Sequence, residues 1–208
     1  MREIEINLDE NPFLNFLSAR YTMSARINVE KLWKWCHDND KSFFVMSLGC
    51  LMNAVNRVPQ LKRRIFDGKV YEFDYLEGVS PIMDEGNDIY KEMRVKPPQC
   101  FDNILDWHDY VKDLSRDILD NKTEGFFCEM EKRDLENIAN FSCIPWVDFD
   151  MLTSCAVDGN AIQPLVTWGK VNKDYEMSVA ITVSHILVNG RELGYFYEYA
   201  QEEFLELP

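Results

Sequence analysis

The sequence is short of cations and of histidine. Its 208 residues carry 22 Lys and Arg against 36 Asp and Glu, a formal net charge of −14. Nucleic-acid binding needs a basic footprint, and this balance argues against one. It still leaves room for an anionic co-substrate held by a few local cations. There are three histidines and six cysteines, and they do not fall at metal-ligand spacing, so no metal is expected. No two cysteines form a C-x-x-C pair, and no basic-then-apolar leader opens the chain. Reduced thiols in a cytoplasmic protein are the expectation, each one a small buried hydrophobe. The most apolar stretch, Phe43 to Val55, is too short to span a bilayer and includes Ser47 and Asn53, so no membrane contact is expected. Repeats, low-complexity tracts and linkers are also missing, which leaves one domain over residues 1–208. The 46% hydrophobic and 13% aromatic content is enough for a sizeable core and excludes a disordered chain.

What is present reads as mixed strands and helices. Met1 to Glu10 is polar and reads as a loose lead-in, followed by a short helical turn at Asn11–Leu17. Alternation from Tyr21 to Val29 predicts a strand. A helix follows to about Asp38, with Asn28 placed to cap it and Leu32 and Trp33 turned inward. Phe43–Val55 reads as a buried helix. Leu61–Phe66 and Lys69–Phe73 read as strands joined by an Asp67-Gly68 hairpin turn. Short strands are expected at Val79–Met83 and Tyr90–Val95, the second stopped by Pro97-Pro98. An amphipathic helix is expected at Ile104–Leu119, and a strand from Asn140 up to Pro145. Gln163–Val171 and Tyr175–Val183 read as paired strands, followed by a helix ending near Leu205. Strands and helices do not alternate regularly. The pattern favours an α/β two-layer sandwich, a mixed sheet covered by helices, over a doubly wound sheet.

Chemistry concentrates in Ser184-His185-Ile186-Leu187-Val188-Asn189-Gly190. An apolar strand leads into it, and a helix follows with Leu193, Phe196, Tyr197, Ala200 and Phe204 on one face. His185 therefore ends a strand on rigid elements, where an imidazole can serve as a structural residue or as a general base. His37 reads as solvated near a helix end, and His108 as a surface residue. Asn189 fits an N-cap with Glu192 three residues on, which needs no chemistry. Ser142 lacks a G-x-S-x-G elbow, so it is a poorer nucleophile candidate than a hydrogen-bond donor. Thr167 and Lys170 read locally as ordinary strand residues.

At these residues the chain resembles the chloramphenicol acetyltransferase family, from about Tyr21 to Phe204. The family signature H-H-x-x-x-D-G is matched by Ser184, His185, Asn189 and Gly190. The related dihydrolipoamide acyltransferases share the H-x-x-x-D-G core. The family's S-x-x-P-W-V is matched by Ser142, Pro145, Trp146 and Val147, with Asn140 before them. A threonine followed three residues later by lysine is matched by Thr167 and Lys170. The resemblance implies a homotrimer with sites between subunits. It also implies acetyl-CoA as co-substrate and direct transfer to an acceptor hydroxyl, with chloramphenicol, and so antibiotic resistance, as the acceptor that the family's name suggests. On that pattern His185 is the general base, Ser142 the donor to the oxyanion, Thr167 the holder of a water nearby, and Lys170 a cation for the co-substrate's phosphates. The alternatives are an acyltransferase for another alcohol or amine, and a catalytically weakened member that acts by binding.

The chain departs from the pattern in three places. The motif aspartate is Asn189, and an ungapped match sets Phe16 where the family has the arginine that pairs with it, with Arg20 close by. Losing both charges together is far milder than stranding one of them. Ser184 replaces the first histidine of the pair. The Tyr90–Phe101 segment, with Lys96-Pro97-Pro98, matches the family's acceptor-lining strand poorly, which bears on chloramphenicol more than on acyl transfer.

Overall fold

A computed structural model describes residues 1–84, 89–129, 132–133, 136–154 and 162–208. Nine strands and four helices lie among them: β1 Arg2–Ile4, β2 Arg20–Asn28, α1 Glu30–Asp38, α2 Phe43–Arg57, β3 Arg63–Phe66, β4 Lys69–Glu72, β5 Glu77–Ile82, β6 Lys91–Val95, α3 Ile104–Leu119, β7 Ile138–Cys143, β8 Leu165–Val171, β9 Glu176–Ser184 and α4 Gly190–Leu205. Six strands form one mixed sheet in the order β2-β9-β8-β7-β5-β6. β7 pairs in parallel with β5 and β8, and the remaining pairings of this sheet are antiparallel. A smaller sheet has the order β1-β4-β3. The α/β sandwich with a mixed sheet and helices is thus the observed architecture.

β1 corrects the expectation of a loose N-terminus. Its alternation is too short and polar to signal a strand, but the β3–β4 hairpin offers an open edge, and Arg2 to Ile4 add to it. That hairpin turns at Asp67 and Gly68, both with positive φ (49° and 74°), as an Asp-Gly turn requires. α1 begins at Glu30 after Val29, yet Asn28 Oδ1 still accepts the Glu30 N–H at 3.2 Å.

The two faces of the large sheet differ. Met177, Val179, Ile181 and Val183 of β9 are fully buried in the core. Trp168, opposite Val179, stacks on Phe44 of α2 at 5.9 Å. The helices therefore cover this face. α2 is the central helix and touches α1, α3 and α4, and α4 lies on β2. Tyr197 of α4 donates its hydroxyl to the carbonyls of Met23 and Val179, tying the helix to both strands.

Because side chains alternate along a strand, Ser142, Thr167, Ser178, Ala180 and Thr182 point to the opposite face. Residues 147–154 fold across it. Arg26 reaches Asp148 at 2.8 Å and Asp150 at 2.7 Å. The Ser154 hydroxyl donates to Thr182 Oγ1 at 2.9 Å, and Thr182 pairs with Thr22 at 2.7 Å. Gly169 permits this crossing, since a Cβ there would meet the Val147 carbonyl at 2.7 Å and the Phe149 ring at 2.9 Å.

His108 is a second correction. It is buried, and its Nε2 accepts the Ser42 N–H at 3.0 Å at the start of α2. Its polar neighbours in sequence suggest a surface site, but the helical period places His108 beside buried Trp107 on the inner side of α3. Of the cysteines described, Cys36 and Cys50 are buried, Cys128 and Cys143 partly so, and Cys100 is exposed. Cys155 lies outside the described residues.

Candidate active site

His185 directly follows β9, where Arg20 of β2 stands opposite Ser184. The strand stops because its backbone turns: the N–H groups of Leu187 and Val188 both point back to the Ser184 carbonyl, at 3.2 and 3.1 Å. Asn189 then starts α4 as its N-cap, with its own N–H donating to Glu192 Oε2 at 2.9 Å. His185 is partly buried between aromatic rings. Phe13 stacks on it at 3.8 Å and 18°, and Tyr21 at 4.6 Å and 30°. The His185 N–H donates to the Ala19 carbonyl at 2.7 Å.

Asn11, Phe13 and Tyr21 were not singled out from the sequence. The usable signal was Asn11-Pro12, an N-cap followed by proline, which starts a 3-10 turn at Pro12–Asn15. Phe16 ends that turn, 53% exposed and edge-on to Phe13 at 5.3 Å. Arg20 directs Nη1 to the Gln163 carbonyl at 3.2 Å.

Ser142 and Thr167 sit side by side as register partners on β7 and β8, and Thr167 in turn faces Ala180 on β9. Lys170 is exposed farther along β8, with its N–H bound to the Val147 carbonyl at 2.9 Å. Asn140 donates to Gln163 Oε1 at 3.0 Å and accepts from Arg133 at 3.1 Å. Burial pushes the neighbouring Cys143 thiol up to about 12. It stays protonated at neutral pH and is no nucleophile.

The structure brings Ser142 and Thr167 together but not to His185 of the same chain. His185 is five residues beyond Ala180 along β9, about 17 Å at about 3.4 Å per residue. Two strand spacings across the sheet add about 10 Å in the perpendicular direction. Strand alternation also sets Ser142 and Thr167 on the face opposite to Tyr21 and Val183, the side on which His185 packs.

A mixed sheet covered by helices is the fold of a class of acyltransferases. A solved chloramphenicol acetyltransferase superposes with a TM-score of 0.80 at 21% identity, covering 99% of this chain and 100% of the other. Dihydrolipoamide acetyltransferase of Azotobacter vinelandii superposes with a TM-score of 0.67 at 9% identity, covering 95% and 85%. In that enzyme a serine, a histidine and an asparagine four positions further on have been investigated for their role in catalysis. The family model for chloramphenicol acetyltransferase matches residues 9–201. The chain belongs to that family and is an acyltransferase. Chloramphenicol acetyltransferase 3 of Escherichia coli is 20% identical over 192 residues, covering 89% of this chain and 86% of the relative.

Proposed function

We propose that the protein transfers an acetyl group directly from acetyl-CoA to the hydroxyl of a small acceptor, at sites shared between subunits of a homotrimer. One observation carries this reading. Ser142 and Thr167 stand together on one sheet face, while His185 lies about 17 Å farther along the sheet on the other. A second copy of the chain can supply the missing partner. Trp146 and Met151, on the segment just after Ser142, are 71% and 77% exposed, as apolar side chains awaiting a neighbour would be.

The donor set fits the co-substrate. Acetyl-CoA supplies a thioester carbonyl whose oxygen gains negative charge during transfer. The Ser142 hydroxyl of one subunit donates a hydrogen bond to that oxygen, and Thr167 beside it holds a water near the same position. His185 of the adjacent subunit accepts the acceptor's hydroxyl proton, so that the alkoxide attacks and the CoA thiol leaves. The exposed Lys170 ammonium offers one local cation for the co-substrate's phosphates. Asn189 stands four residues after His185, the spacing of the histidine and asparagine investigated in the Azotobacter enzyme. An asparagine there is therefore compatible with acyl transfer. The direct test is thiol release from acetyl-CoA, followed in a spectrophotometer with chloramphenicol, with other alcohols, and with no acceptor. Acceptor-dependent release supports the reading. Acetyl-CoA binding without release for any alcohol or amine would leave the protein as a binding member of the family.

A further inference from the structure

The helix layer carries a groove that the proposed transfer chemistry does not use. It holds about 430 Å³ and is walled by α2, the end of α4, Leu32 of α1 and the approach to α3. Pockets for small molecules run from about 300 to 1,000 Å³, mostly apolar with a few polar groups. The floor here is Leu32, Met46 and Cys50, all buried, and Pro98, Ile104 and Leu207 add apolar walls. Cys50 is floor and no nucleophile. Its thiol donates to the Glu203 carbonyl at 3.6 Å, and burial, reinforced by the Glu203 charge, holds its pKa well above the ordinary thiol value. α4 runs 16 residues from the His185 turn to this groove, about 24 Å at about 1.5 Å per residue. The groove is therefore separate from His185.

Charge decides what such a groove can hold. Glu203 is engaged at both oxygens: Oε1 accepts from Arg57 at 3.2 Å and Oε2 from Asn53 at 2.8 Å. Arg57 also donates to Glu202 at 2.6 Å and lies 3.9 Å over the Tyr199 ring, so its charge is directed at α4. Lys31 Nζ donates to the Leu205 carbonyl at 2.7 Å. The Glu206 carboxylate lines the groove and has no hydrogen-bond or ion-pair partner among the described residues. Glu202, Glu203 and Glu206 thus outnumber Arg57 and Lys31 here, in a chain of net charge −14. An anion would meet the free carboxylate, and a bare metal ion would gain nothing from the apolar floor. A molecule with an apolar body and one cationic end suits both, because the body leaves water and the ammonium pairs with Glu206.

We propose that this groove is a second ligand site, specific for a small organic amine with an apolar body and distinct from the site of acyl transfer. The apolar floor supplies most of the attraction. Glu206 selects the charge.

The test uses three probes of one length, octylamine, octan-1-ol and octanoate, titrated calorimetrically into the whole protein at pH 7 without acetyl-CoA. Octylamine is expected to bind about fivefold more tightly than octan-1-ol, the gain of one exposed charge pair, with octanoate the weakest. Glu206→Gln should bring octylamine to the level of octan-1-ol and leave the alcohol unchanged. Gln99→Trp, at the exposed rim of the groove, should weaken both. Equal binding of the three probes, or no binding of octylamine, would overturn the proposal. So would wild-type octylamine affinity in either variant, or displacement of octylamine by acetyl-CoA, which would place the amine in the transfer site. Should a variant fail to fold, methyl-labelled methionine spectra of the wild-type protein decide. A Met46 resonance, assigned with Met46→Leu, that moves on adding octylamine supports the site, and one that stays overturns it.

Discussion

Ser142 and His185 have separable jobs in the proposed chemistry, and substitution should show it. His185→Ala should abolish acetyl transfer, because the proposed step hands the acceptor's proton to that imidazole. Ser142→Ala should lower kcat about 10²–10³-fold while leaving KM for acetyl-CoA nearly unchanged, as a donor used in the transition state does. Steady-state kinetics distinguishes the two, and equal loss of acetyl-CoA binding in both would reduce them to pocket walls. Asn189 is a cap whatever else it does. Asn189→Ala should cost about 1 kcal/mol by denaturant unfolding. Asn189→Asp should leave the thermal midpoint unmoved, since Phe16 offers no cation and Glu192 already brings a carboxylate to the first turn of α4. A clear rise would reveal a cationic partner, with Arg20 the first to examine.

Among the elements, α2 and α3 are joined by a titratable contact. The first backbone donors of α2 have no partner inside the helix, and the Ser42 N–H just before it finds one in neutral His108. Burial holds the His108 imidazole below the ordinary histidine range, against the opposing pull of the Asp109 carboxylate. Between its folded pKa and the unfolded value of about 6.5, the unfolded chain binds more protons. The contact's stability is therefore complete above about pH 6.5 and lost as pH falls through the folded pKa. Unfolding measured from pH 7.5 to 5 should show wild type losing more stability than His108→Gln, which keeps an acceptor but does not titrate. Parallel curves for the two proteins would remove His108 from the pH response.

For the whole molecule, the proposed chemistry requires assembly, because Ser142 and His185 lie in separate regions of the sheet. Sedimentation at micromolar concentration should show a trimer. Refolding His185→Ala and Ser142→Ala together should restore activity that neither has alone, because some sites then pair an intact histidine with an intact serine. Random mixing in a closed ring gives about a quarter of the wild-type sites. No recovery, or a monomer alone, would end the shared-site reading.

Most helices and strands of the large sheet were legible in the sequence because their signals are local. The period of 3.6 marked α3 and α4, Asp67-Gly68 marked its hairpin, and the histidine spacing before Asn189 marked the turn. The family resemblance supplied the candidate roles of Ser142, Thr167 and Lys170, which local pattern alone did not. Tertiary structure decided what depends on distant partners. β1 exists because β4 leaves an edge open, and His108 is buried because the inner side of α3 faces Ser42. Asn11, Phe13 and Tyr21 meet the His185 turn across more than 160 residues of chain, a separation that no local pattern encodes. The sheet register likewise separates Ser142 from His185, because strand order, rather than sequence spacing, determines which side chains share a face.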